Sequence, residues 1–320
     1  MENYSSLDPT FTWKEYCNLT DREDGGQVHV TSVVSAVIVS LVFLLGPTVN
    51  GFVLWIQHFM MEKKFRTIVY LHLFIAGFIF SVFQLLDMVY FALDLHWPFG
   101  SFMCRLNGAV FHLYMFVSSL ILALFSIDYC LLILHTFRYF SRRTKGLAMK
   151  ELLATWIFSL GVSVPYFIFK NTYDCQSSTK CLYGVLHNEK VQYQSIVTTA
   201  FVLGFFIPFL VIISCFLITV FHHRKKTSRY TTRLKVIYSI QMSFVLLWLP
   251  HHVFSFLSSF TSRGPLDTVI DTGLHLSMAL ASMTSCVNPL IYAFICPDFK
   301  EAFSQFFQKK IRHWKANNLK

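Results

Sequence analysis

The chain has 320 residues, of which 54% are hydrophobic, 17% aromatic and only 14% charged. This composition excludes an ordinary soluble domain and indicates a membrane protein. A net charge of +10 is also found in proteins that bind nucleic acid. The positions of the basic residues along the chain therefore decide between a nucleic-acid partner and a membrane surface.

The first 27 residues are polar and acidic, without the short apolar core of a cleavable signal peptide. They contain two glycosylation triplets, which begin at Asn3 and Asn18. Two such triplets in one short tail ahead of an apolar run favour an exterior location. We therefore predict that residues 1–27 form an extracellular tail with glycans at both asparagines.

Seven apolar runs follow this tail. Each is long enough to cross a membrane, because about 20 helical residues span its ~30 Å hydrocarbon layer. One run alone could be the core helix of a soluble protein, but seven in succession exclude that interpretation. Only helices and closed barrels satisfy their backbone in lipid, so we predict an all-α, seven-transmembrane helix bundle over residues 28–295. The runs lie at about 28–57, 66–92, 101–134, 149–170, 192–222, 230–259 and 267–295.

The basic residues mark one side of the membrane. Most of the 27 Lys and Arg residues lie after the first, third and fifth runs and in the C-terminal tail. The positive-inside rule places those segments in the cytoplasm and the N-terminus outside. Their charge then faces anionic lipid and cytoplasmic partners, so no nucleic-acid partner is predicted. The expected location is the plasma membrane.

The final segment, residues 296–320, is predicted to be a cytoplasmic tail with a short amphipathic helix. Apolar side chains recur at helical spacing from Phe299 to Trp314, with Lys and Arg on much of the other face, as in a helix lying in the membrane interface. A frayed tail is the alternative. Pro297 followed by Asp298 is a good helix start, so the helix is favoured.

The eight cysteines fall into two groups according to their predicted position relative to the membrane. Four lie in predicted exterior segments, where disulfides persist; these are Cys17, Cys104, Cys175 and Cys181. Four cysteines allow three pairings, among which the sequence alone does not choose. The other four are predicted to be free thiols; these are Cys130, Cys215, Cys286 and Cys296.

Short motifs occur in a fixed order along the runs. They are Asn50-Gly51, the WPFG segment before Cys104, Trp156, Pro208, Phe244 with Trp248-Leu249-Pro250, and Asn288-Pro289-Leu290-Ile291-Tyr292. Together they resemble the rhodopsin-like G-protein-coupled receptors over residues 30–307. The segments WPFGSFMC, SIDYCLLILH and SCVNPLIY are most similar to the chemoattractant branch, which includes formyl-peptide, anaphylatoxin and chemerin receptors and orphan relatives.

The resemblance implies roles for several residues. It implies a Cys104–Cys181 disulfide, which leaves Cys175 for Cys17. It also implies an activation switch in the sixth and seventh spans, formed by Phe244, Trp248, Pro250, Asn288, Pro289 and Tyr292. A proline inside a helix removes a backbone hydrogen bond and kinks the helix, so Pro250 and Pro289 would be hinges for the inner halves of their spans.

The chain departs from the family pattern at the inner end of the third run. The family has an arginine there, which pairs with the preceding acid in the inactive state and receives the G protein in the active state. Here the G-protein-facing motif is Asp128-Tyr129-Cys130, and Tyr129 carries no positive charge. Gly77 stands where the family has a sodium-binding acid, and Phe216 where it has a tyrosine. We therefore expect weak G-protein coupling and no sodium regulation.

The ligand site is predicted in the outer half of the bundle, where polar groups in membrane helices are functional candidates. Asp87 is the best charged candidate, with His112 and His275 as its expected partners. The whole set is Asp87, His112, Phe116, His251, His252 and His275. The alternative is that Asp87 lies among hydrated headgroups and that the histidines are ordinary packing. The acid of amine receptors and the lysine of opsins are replaced by Phe111 and Ser282, which disfavours those ligand classes.

Two receptor functions remain open. The first is a receptor that couples an unidentified peptide or lipid chemoattractant to a heterotrimeric G protein. The second is an atypical receptor that binds or scavenges its ligand with little G-protein signalling. A transporter is disfavoured by the lack of repeat halves and intramembrane charge. An enzyme is disfavoured because no nucleophile–base pair or metal-ligand cluster occurs, and no cofactor is expected. Arrestin recruitment should be weak, because Ser304 is the only serine or threonine after Ile295.

Overall fold

The computed structural model describes residues 25–62, 64–134, 144–175, 178–183, 190–222, 228–261 and 267–318. These residues form helices and one two-stranded hairpin. The helices are α1 Gly25–Met60, α2 Phe65–Ala92, α3 Gly100–Leu134, α4 Lys145–Phe169, α5 Lys190–Phe201, α6 Ile207–His222, α7 Ser228–Phe260, α8 Asp267–Ser282, α9 Thr284–Ile295 and α10 Pro297–Asn318. The strands are β1 Lys170–Asp174 and β2 Thr179–Tyr183, and a π-helix, Val202–Phe206, joins α5 to α6. The predicted glycosylation sites Asn3 and Asn18 lie outside the described residues, as does Cys17.

Seven helical segments of the described chain are long and apolar enough to cross a membrane, which confirms the predicted bundle. Helices α1 to α4 form spans 1 to 4. Span 5 consists of α5, the π-helix and α6, span 6 of α7, and span 7 of α8 and α9. The antiparallel hairpin is an addition to the all-α expectation. It occupies a polar connection that sequence periodicity alone assigns to a loop.

Span 3 lies at the centre of the bundle. In its most apolar stretch 67% of the residues are buried, against 28% in span 4 and 22% in span 5. It packs against α2, α4, α6 and α7. The peripheral spans instead expose large apolar side chains, among them Val37, Ile157 and Leu246, as expected of surfaces that contact lipid.

Two prolines change the backbone of spans 5 and 7. Proline has no N–H, and its ring clashes with the carbonyl four residues earlier. For Pro208 that carbonyl belongs to Gly204, which lies within the π-helix, where the wider turn gives the ring room. For Pro289 the carbonyl belongs to Ser285, and it accepts a hydrogen bond from Asn50 Nδ2 of span 1 at 2.8 Å. The Ser285 carbonyl, which Pro289 leaves without a partner in its own helix, therefore bonds span 7 to span 1.

The hairpin closes one end of the bundle. A disulfide joins Cys104 at the start of span 3 to Cys181 in β2, which confirms the pairing that the resemblance implies. The Trp97 backbone N–H donates to the Thr179 carbonyl at 2.7 Å, so the α2–α3 connection is fixed to the same strand. Cys175 is also disulfide-bonded, and its pairing with Cys17 stays a prediction. Following the predicted orientation, we name this end the outer end and the opposite end the inner end.

Helix α10 lies at the inner end against span 1. Phe303 contacts Phe52 and Phe306 contacts Trp55, with ring centroids 5.8 and 5.0 Å apart. Ile311 and Trp314 remain exposed, which leaves an apolar edge free to enter the membrane interface. The amphipathic helix is therefore present, and it extends to Asn318 rather than ending at Trp314.

Candidate functional site

A polar cluster lies between spans 2 and 3 at the outer end. Asn107 Nδ2 donates to Asp87 Oδ1 at 2.6 Å, and Gln84 Nε2 donates to Asp87 Oδ2 at 3.4 Å. Its hydrogen bonds among the described residues thus go to Asn107 and Gln84 rather than to the expected partners His112 and His275. His112 lies five residues after Asn107, and five helical residues turn by about 500°, so its side chain points about 140° away around span 3.

Lys170, the first residue of β1, lies beside this cluster. It is not among the site residues predicted from the sequence. Its side chain is only 7% exposed, whereas a lysine that ends a membrane helix normally extends to water. Its ammonium lies 5.4 Å from the centre of the Tyr183 ring. Its stem passes so close to span 3 that a Cβ at Gly108 would meet Lys170 Cδ at 2.5 Å. Glycine at position 108 therefore makes room for the lysine.

The positive charge of Lys170 is partly compensated by the negative charge of Asp87. Burial lowers the pKa of its ammonium group, and the negative charge of Asp87 opposes that shift. A buried cation is costly unless it is paired or hydrogen-bonded. The half-buried Asp87, the buried Lys170 and the half-buried Tyr183 ring thus lie together at the hairpin, an arrangement suited to a ligand that carries its own charge.

His112 lies deeper and is held by packing. Its Nδ1 is 2.9 Å from the Gly108 carbonyl, which assigns the proton to Nδ1. Its ring stacks on Tyr166 with centroids 3.6 Å apart, and the Tyr183 hydroxyl lies 3.5 Å from Nδ1. Phe116 is fully buried one turn further in, also beside Tyr166. These contacts favour a structural part for both residues.

His251 and His252 are different, because each has a buried ring nitrogen without a hydrogen-bond partner among the described residues. The atoms are His251 Nδ1 and His252 Nε2. Buried polar atoms are nearly always satisfied by protein, water or ligand. His251 lies against Phe111, with centroids 5.2 Å apart, and Phe111 also lines a small cavity that includes Asp87. His275 packs edge-on against Phe91, with ring centroids 5.9 Å apart, and Phe91 in turn lines that cavity.

A continuous series of rings connects this outer region to the middle of the bundle. Phe111 contacts Trp248 at 5.2 Å, and Trp248 contacts Phe244 one turn further in at 5.8 Å. Trp248 is fully buried, and its Nε1 donates to Thr284 Oγ1 at 3.2 Å. This bond crosses from span 6 to span 7 at the point where α8 ends and α9 begins. A displacement of Phe111 would therefore act on both helices.

The middle of the bundle is uncharged where the family resemblance places a sodium-binding acid. A Cβ at Gly77 would lie 2.9 Å from Asn50 Oδ1, so the Asn50 amide already fills the space beside this position. Tyr114 stacks on Phe80 at 4.4 Å, and its hydroxyl interacts with Thr284 and Asn288. Neutral hydrogen bonds take the place of an acid and its cation here.

The inner part of span 7 carries two of the predicted switch residues. Asn288 Oδ1 accepts from Ser243 Oγ of span 6 at 3.2 Å. Tyr292 is 1% exposed, and its ring lies 4.5 Å from Tyr70 of span 2. Span 7 thus contacts spans 2 and 6 on opposite sides of the Pro289 kink.

Tyr129 lies at the inner mouth of the bundle with a cation over its ring. The guanidinium carbon of Arg66, in the first turn of α2, is 4.6 Å from the ring centre. Tyr129 is 3% exposed, the preceding Asp128 is fully buried, and Arg66 is half-buried. A cavity opens beside this pair, lined by Met61, Arg66, Thr67, Tyr70, Tyr129, Val236, Tyr292, Cys296 and Asp298.

Spans 3 and 6 are joined near this mouth by a neutral side chain. Gln241 Nε2 donates to Ser126 Oγ at 2.6 Å and to the Leu122 carbonyl at 3.1 Å. Phe216 of span 5 packs edge-on against Tyr238 of span 6 at 4.9 Å. Cys130, the last residue of the predicted motif, is a buried free thiol.

Sequence reasoning missed Lys170, Arg66 and Gln241. The available signal for Lys170 was weak, because a basic residue after an apolar run normally marks the membrane boundary. Arg66 was counted only among the basic residues of the first inner loop. The described residues contain no group of three His, Cys, Asp or Glu side chains placed to hold a metal ion.

Comparison with known proteins gives a consistent result. Residues 49–292 match the model of the family described as 7 transmembrane receptor (rhodopsin family). Chemerin-like receptor 2 of Rattus norvegicus is 28% identical over 323 residues, which covers 99% of this chain and 90% of the relative. Chemerin-like receptor 1 of Mus musculus is 30% identical over 86% of this chain and 78% of the relative. N-formyl peptide receptor 2 of Homo sapiens is 30% identical over 85% and 82%.

Proposed function

The chain belongs to the rhodopsin family of seven-transmembrane receptors, with relatives among the chemoattractant receptors, and we propose that it is a plasma-membrane receptor whose ligand carries an anionic group. The N-terminus faces the exterior, and the ligand enters under the hairpin. The observation that carries the proposal is Lys170, a buried cation at the outer end that is only 7% exposed.

The chemistry of the outer cluster selects the ligand class. A carboxylate or phosphate would form a charge-assisted hydrogen bond with the Lys170 ammonium, which is roughly twice as strong as a neutral one. Asp87 accepts from Asn107 and Gln84, and its negative charge compensates that of Lys170 in part. The rings of Phe111 and Tyr183 suit an apolar or aromatic body attached to the anion. A peptide with a free C-terminus and an acidic lipid both fit this description.

Ligand contact would be transmitted through the ring series. Phe111 lies between the outer cavity and Trp248, and Trp248 holds span 7 through Thr284. A ligand shifts the population of open and closed inner ends only by its differential affinity for the two. Ligand atoms that displace Phe111 would give the ligand different affinities for the open and closed states. Ligand atoms that contact only the hairpin would raise its affinity for both states equally.

Ligand screening read by thermal stability tests the proposal without requiring a G protein. Purified receptor is mixed with peptides in free-acid and amidated forms and with fatty acids, and a bound ligand raises the melting temperature. We expect stabilisation by free-acid peptides or by acidic lipids, retained in Lys170→Arg and lost in Lys170→Met. Lys180→Met, on the same hairpin, is the matched control. Equal stabilisation by amidated peptides, or in Lys170→Met, would refute an anionic ligand.

The outside location of the N-terminus has its own test. Removing the triplets at Asn3 and Asn18 should increase gel mobility as much as glycosidase treatment does. An unchanged mobility after both treatments would contradict the proposed orientation.

A second function, an atypical receptor with weak G-protein coupling, is favoured by Tyr129 in place of the expected arginine. An enlarged open population cannot restore a contact that is missing in the complex, so both basal and maximal nucleotide exchange should be low despite normal surface delivery. Tyr129→Arg should raise agonist-dependent exchange on purified G protein, though only in part, because Gly77 and Phe216 still differ from the family. Strong exchange by the native receptor, unchanged or lowered in Tyr129→Arg, would contradict weak coupling.

A further inference from the structure

The hairpin is bonded to the α2–α3 connection through Thr179, the first residue of β2. The Thr179 carbonyl accepts from the Trp97 backbone N–H at 2.7 Å, and the Thr179 N–H donates to His96 Nδ1 at 3.0 Å. Both polar backbone groups of Thr179 are therefore bonded to two consecutive residues of the connection. The two bonds differ in kind, because the acceptor of the second is an ionisable side chain.

The backbone of the connection holds the His96 ring in place. Leu95 and Trp97, on either side of His96, are buried and anchor the connection to the bundle. The Leu95 N–H donates to the Tyr90 carbonyl at 2.9 Å, and the His96 N–H donates to the Leu93 carbonyl at 3.1 Å. His96 itself is half-buried and lies outside the seven spans, so its ring can exchange protons with the surrounding water.

The bond between Thr179 and His96 requires a neutral imidazole ring. A backbone N–H donates only to a ring nitrogen that has a free lone pair, so Nδ1 is unprotonated and the proton of the neutral ring is on Nε2. In the imidazolium form both ring nitrogens are donors, and the Nδ1–H would face the Thr179 N–H without an acceptor between them. Histidine is the side chain whose charge ordinarily changes between pH 5 and 8.

We propose that His96 makes the docking of the hairpin dependent on extracellular pH: a neutral ring holds the start of β2 on the α2–α3 connection, and a protonated ring releases it. Protons bind preferentially to the released form, so the bond is fully present at neutral pH and is lost as the pH falls. The proposed ligand enters under this hairpin, so acid would change access to the outer site. That consequence rests on the proposed function, whereas the docking itself does not.

Release is confined to one end of the hairpin. Thr179 pairs with Asp174 at that end of the ladder, whereas Lys170 pairs with Tyr183 at the other end, which continues from α4. Between the two ends, the disulfide from β2 to span 3 holds the hairpin on the bundle. Loss of the bond to the imidazole therefore loosens the Asp174–Thr179 end and leaves Lys170 in place.

The other ionisable groups of this corner come from the connection, the hairpin and the spans beside them. Asp174 is bonded to the same residue as His96, because it accepts from Thr179 Oγ1 at 2.8 Å. Carboxylates and ammonium groups ordinarily keep their charge between pH 5.5 and 7.5, whereas other histidines have to be separated from His96 by experiment. The charged groups are Asp94, Lys170, Asp174 and Lys180, and the histidines close to the hairpin are His112 and His275.

Hydrogen exchange of two backbone amides measures the docking without a ligand. Receptor in nanodiscs is deuterated at pH 7.5 and at pH 5.5, and protection factors are corrected for the intrinsic effect of pH on exchange. Those of the Thr179 and Trp97 amides should fall roughly two- to tenfold at pH 5.5, the range expected for loss of one hydrogen bond. Amides at the Lys170–Tyr183 end should not change. Unchanged protection at Thr179, a fall at Thr179 without one at Trp97, or an equal fall along the whole hairpin would each refute the proposal.

Two replacements of His96 separate its titration from that of the other histidines. His96→Asn provides an amide oxygen close to the position of Nδ1, an acceptor that stays neutral, and should hold the hairpin equally at both pH values. His96→Leu has no acceptor and should already show at pH 7.5 the low protection factors of the native receptor at pH 5.5. A pH dependence that persists in His96→Asn would assign the effect to another group and overturn the role of His96.

The proposed function and this inference fail in different ways. If the exchange of Thr179 and Trp97 changes as expected but Lys170→Met is stabilised by free-acid peptides as well as the native receptor is, the anionic ligand is wrong and the pH-dependent docking stands. If Lys170→Met loses that stabilisation while the exchange of Thr179 is independent of pH, the anionic ligand stands and the inference about His96 is wrong.

Discussion

The outer and inner ends of the bundle are held together by different kinds of interaction. At the outer end a disulfide, a hairpin, a half-buried acid and a buried lysine lie close together, and ring nitrogens of His251 and His252 remain without partners among the described residues. At the inner end the corresponding connections are a glutamine to a serine and an arginine on a tyrosine ring. The outer end is cross-linked by a covalent bridge, and its unsatisfied ring nitrogens are available to a ligand, although buried side-chain atoms of Gln57, Gln241 and Asn288 further in also lack partners among the described residues. The inner end is held by contacts of about 1 kcal/mol each, so it can open at little cost.

The largest loss of surface expression should follow from removing the disulfide of the outer end. Cys104→Ala removes the bridge between span 3 and β2, and loss of a native disulfide typically costs ~2–5 kcal/mol. Surface expression measured by antibody binding should fall sharply. Cys215→Ala removes a cysteine that is free in the structure and should leave expression nearly normal. Equal expression of the two variants would mean that the outer end does not depend on its disulfide.

The charge of the outer end should show in the pH dependence of ligand binding. Burial lowers the pKa of Lys170, so the ammonium group loses its proton at a lower pH than an exposed lysine. Affinity for an anionic ligand is then fully present below the lowered pKa and falls as the pH rises through it. Asp87 and Tyr183 are the ionisable groups beside it. Titrations from neutral to alkaline pH should show this loss in the native receptor, while Lys170→Arg, which stays charged, binds evenly across the range.

Loosening the inner end should reduce surface expression much less than loss of the disulfide does, and it should make the inner end open more readily. Gln241→Met removes two hydrogen bonds between spans 3 and 6, each worth about 0.5–1.5 kcal/mol, and Ser126 keeps its bond to the Leu122 carbonyl. We expect a thiol reagent to react faster with Cys296, a buried free cysteine that lines the inner cavity, while surface expression stays nearly normal. Met242→Leu, on the exposed face of the same helix, is the control. A fall in expression as large as that of Cys104→Ala would contradict the contrast between the two ends.

The smallest effect concerns arrestin. A phosphate adds about −1.5 to −2 charge, and Ser304 is the one site that the chain offers beyond Ile295. Recruitment in a proximity assay should therefore be weak and little changed in Ser304→Ala. Residues of the third inner loop are the alternative sites: Thr227, Ser228, Thr231 and Thr232. Strong recruitment that survives replacement of all five would refute a phosphate-based mechanism.

The spans and the tail helix were predictable because each is a local pattern. Length and apolarity define the spans, and the spacing of Phe299, Phe303 and Phe306 defines α10. The sites depended on contacts between distant segments, which periodicity does not report. Asp87 could be selected from the sequence as a charge inside a span, but its bond to Asn107 follows from how α2 and α3 face each other. Lys170 and Arg66 stand at span ends, where basic side chains normally reach water, and both lie instead on tyrosine rings.

The bond between Asn50 and the Ser285 carbonyl has a consequence for biosynthesis. The two residues are 235 positions apart, and at about 5–20 residues per second the ribosome needs roughly 10–50 seconds to travel from one to the other. During that interval the Asn50 amide in span 1 has its local acceptor, the Gly46 carbonyl, but its acceptor in span 7 does not yet exist. Completion of span 7 supplies the carbonyl that Pro289 leaves open, so the first and last spans close the bundle together. Nascent chains that stop before Ser285 lack this interhelical bond, a feature by which quality control in the endoplasmic reticulum can distinguish an unfinished receptor from a finished one.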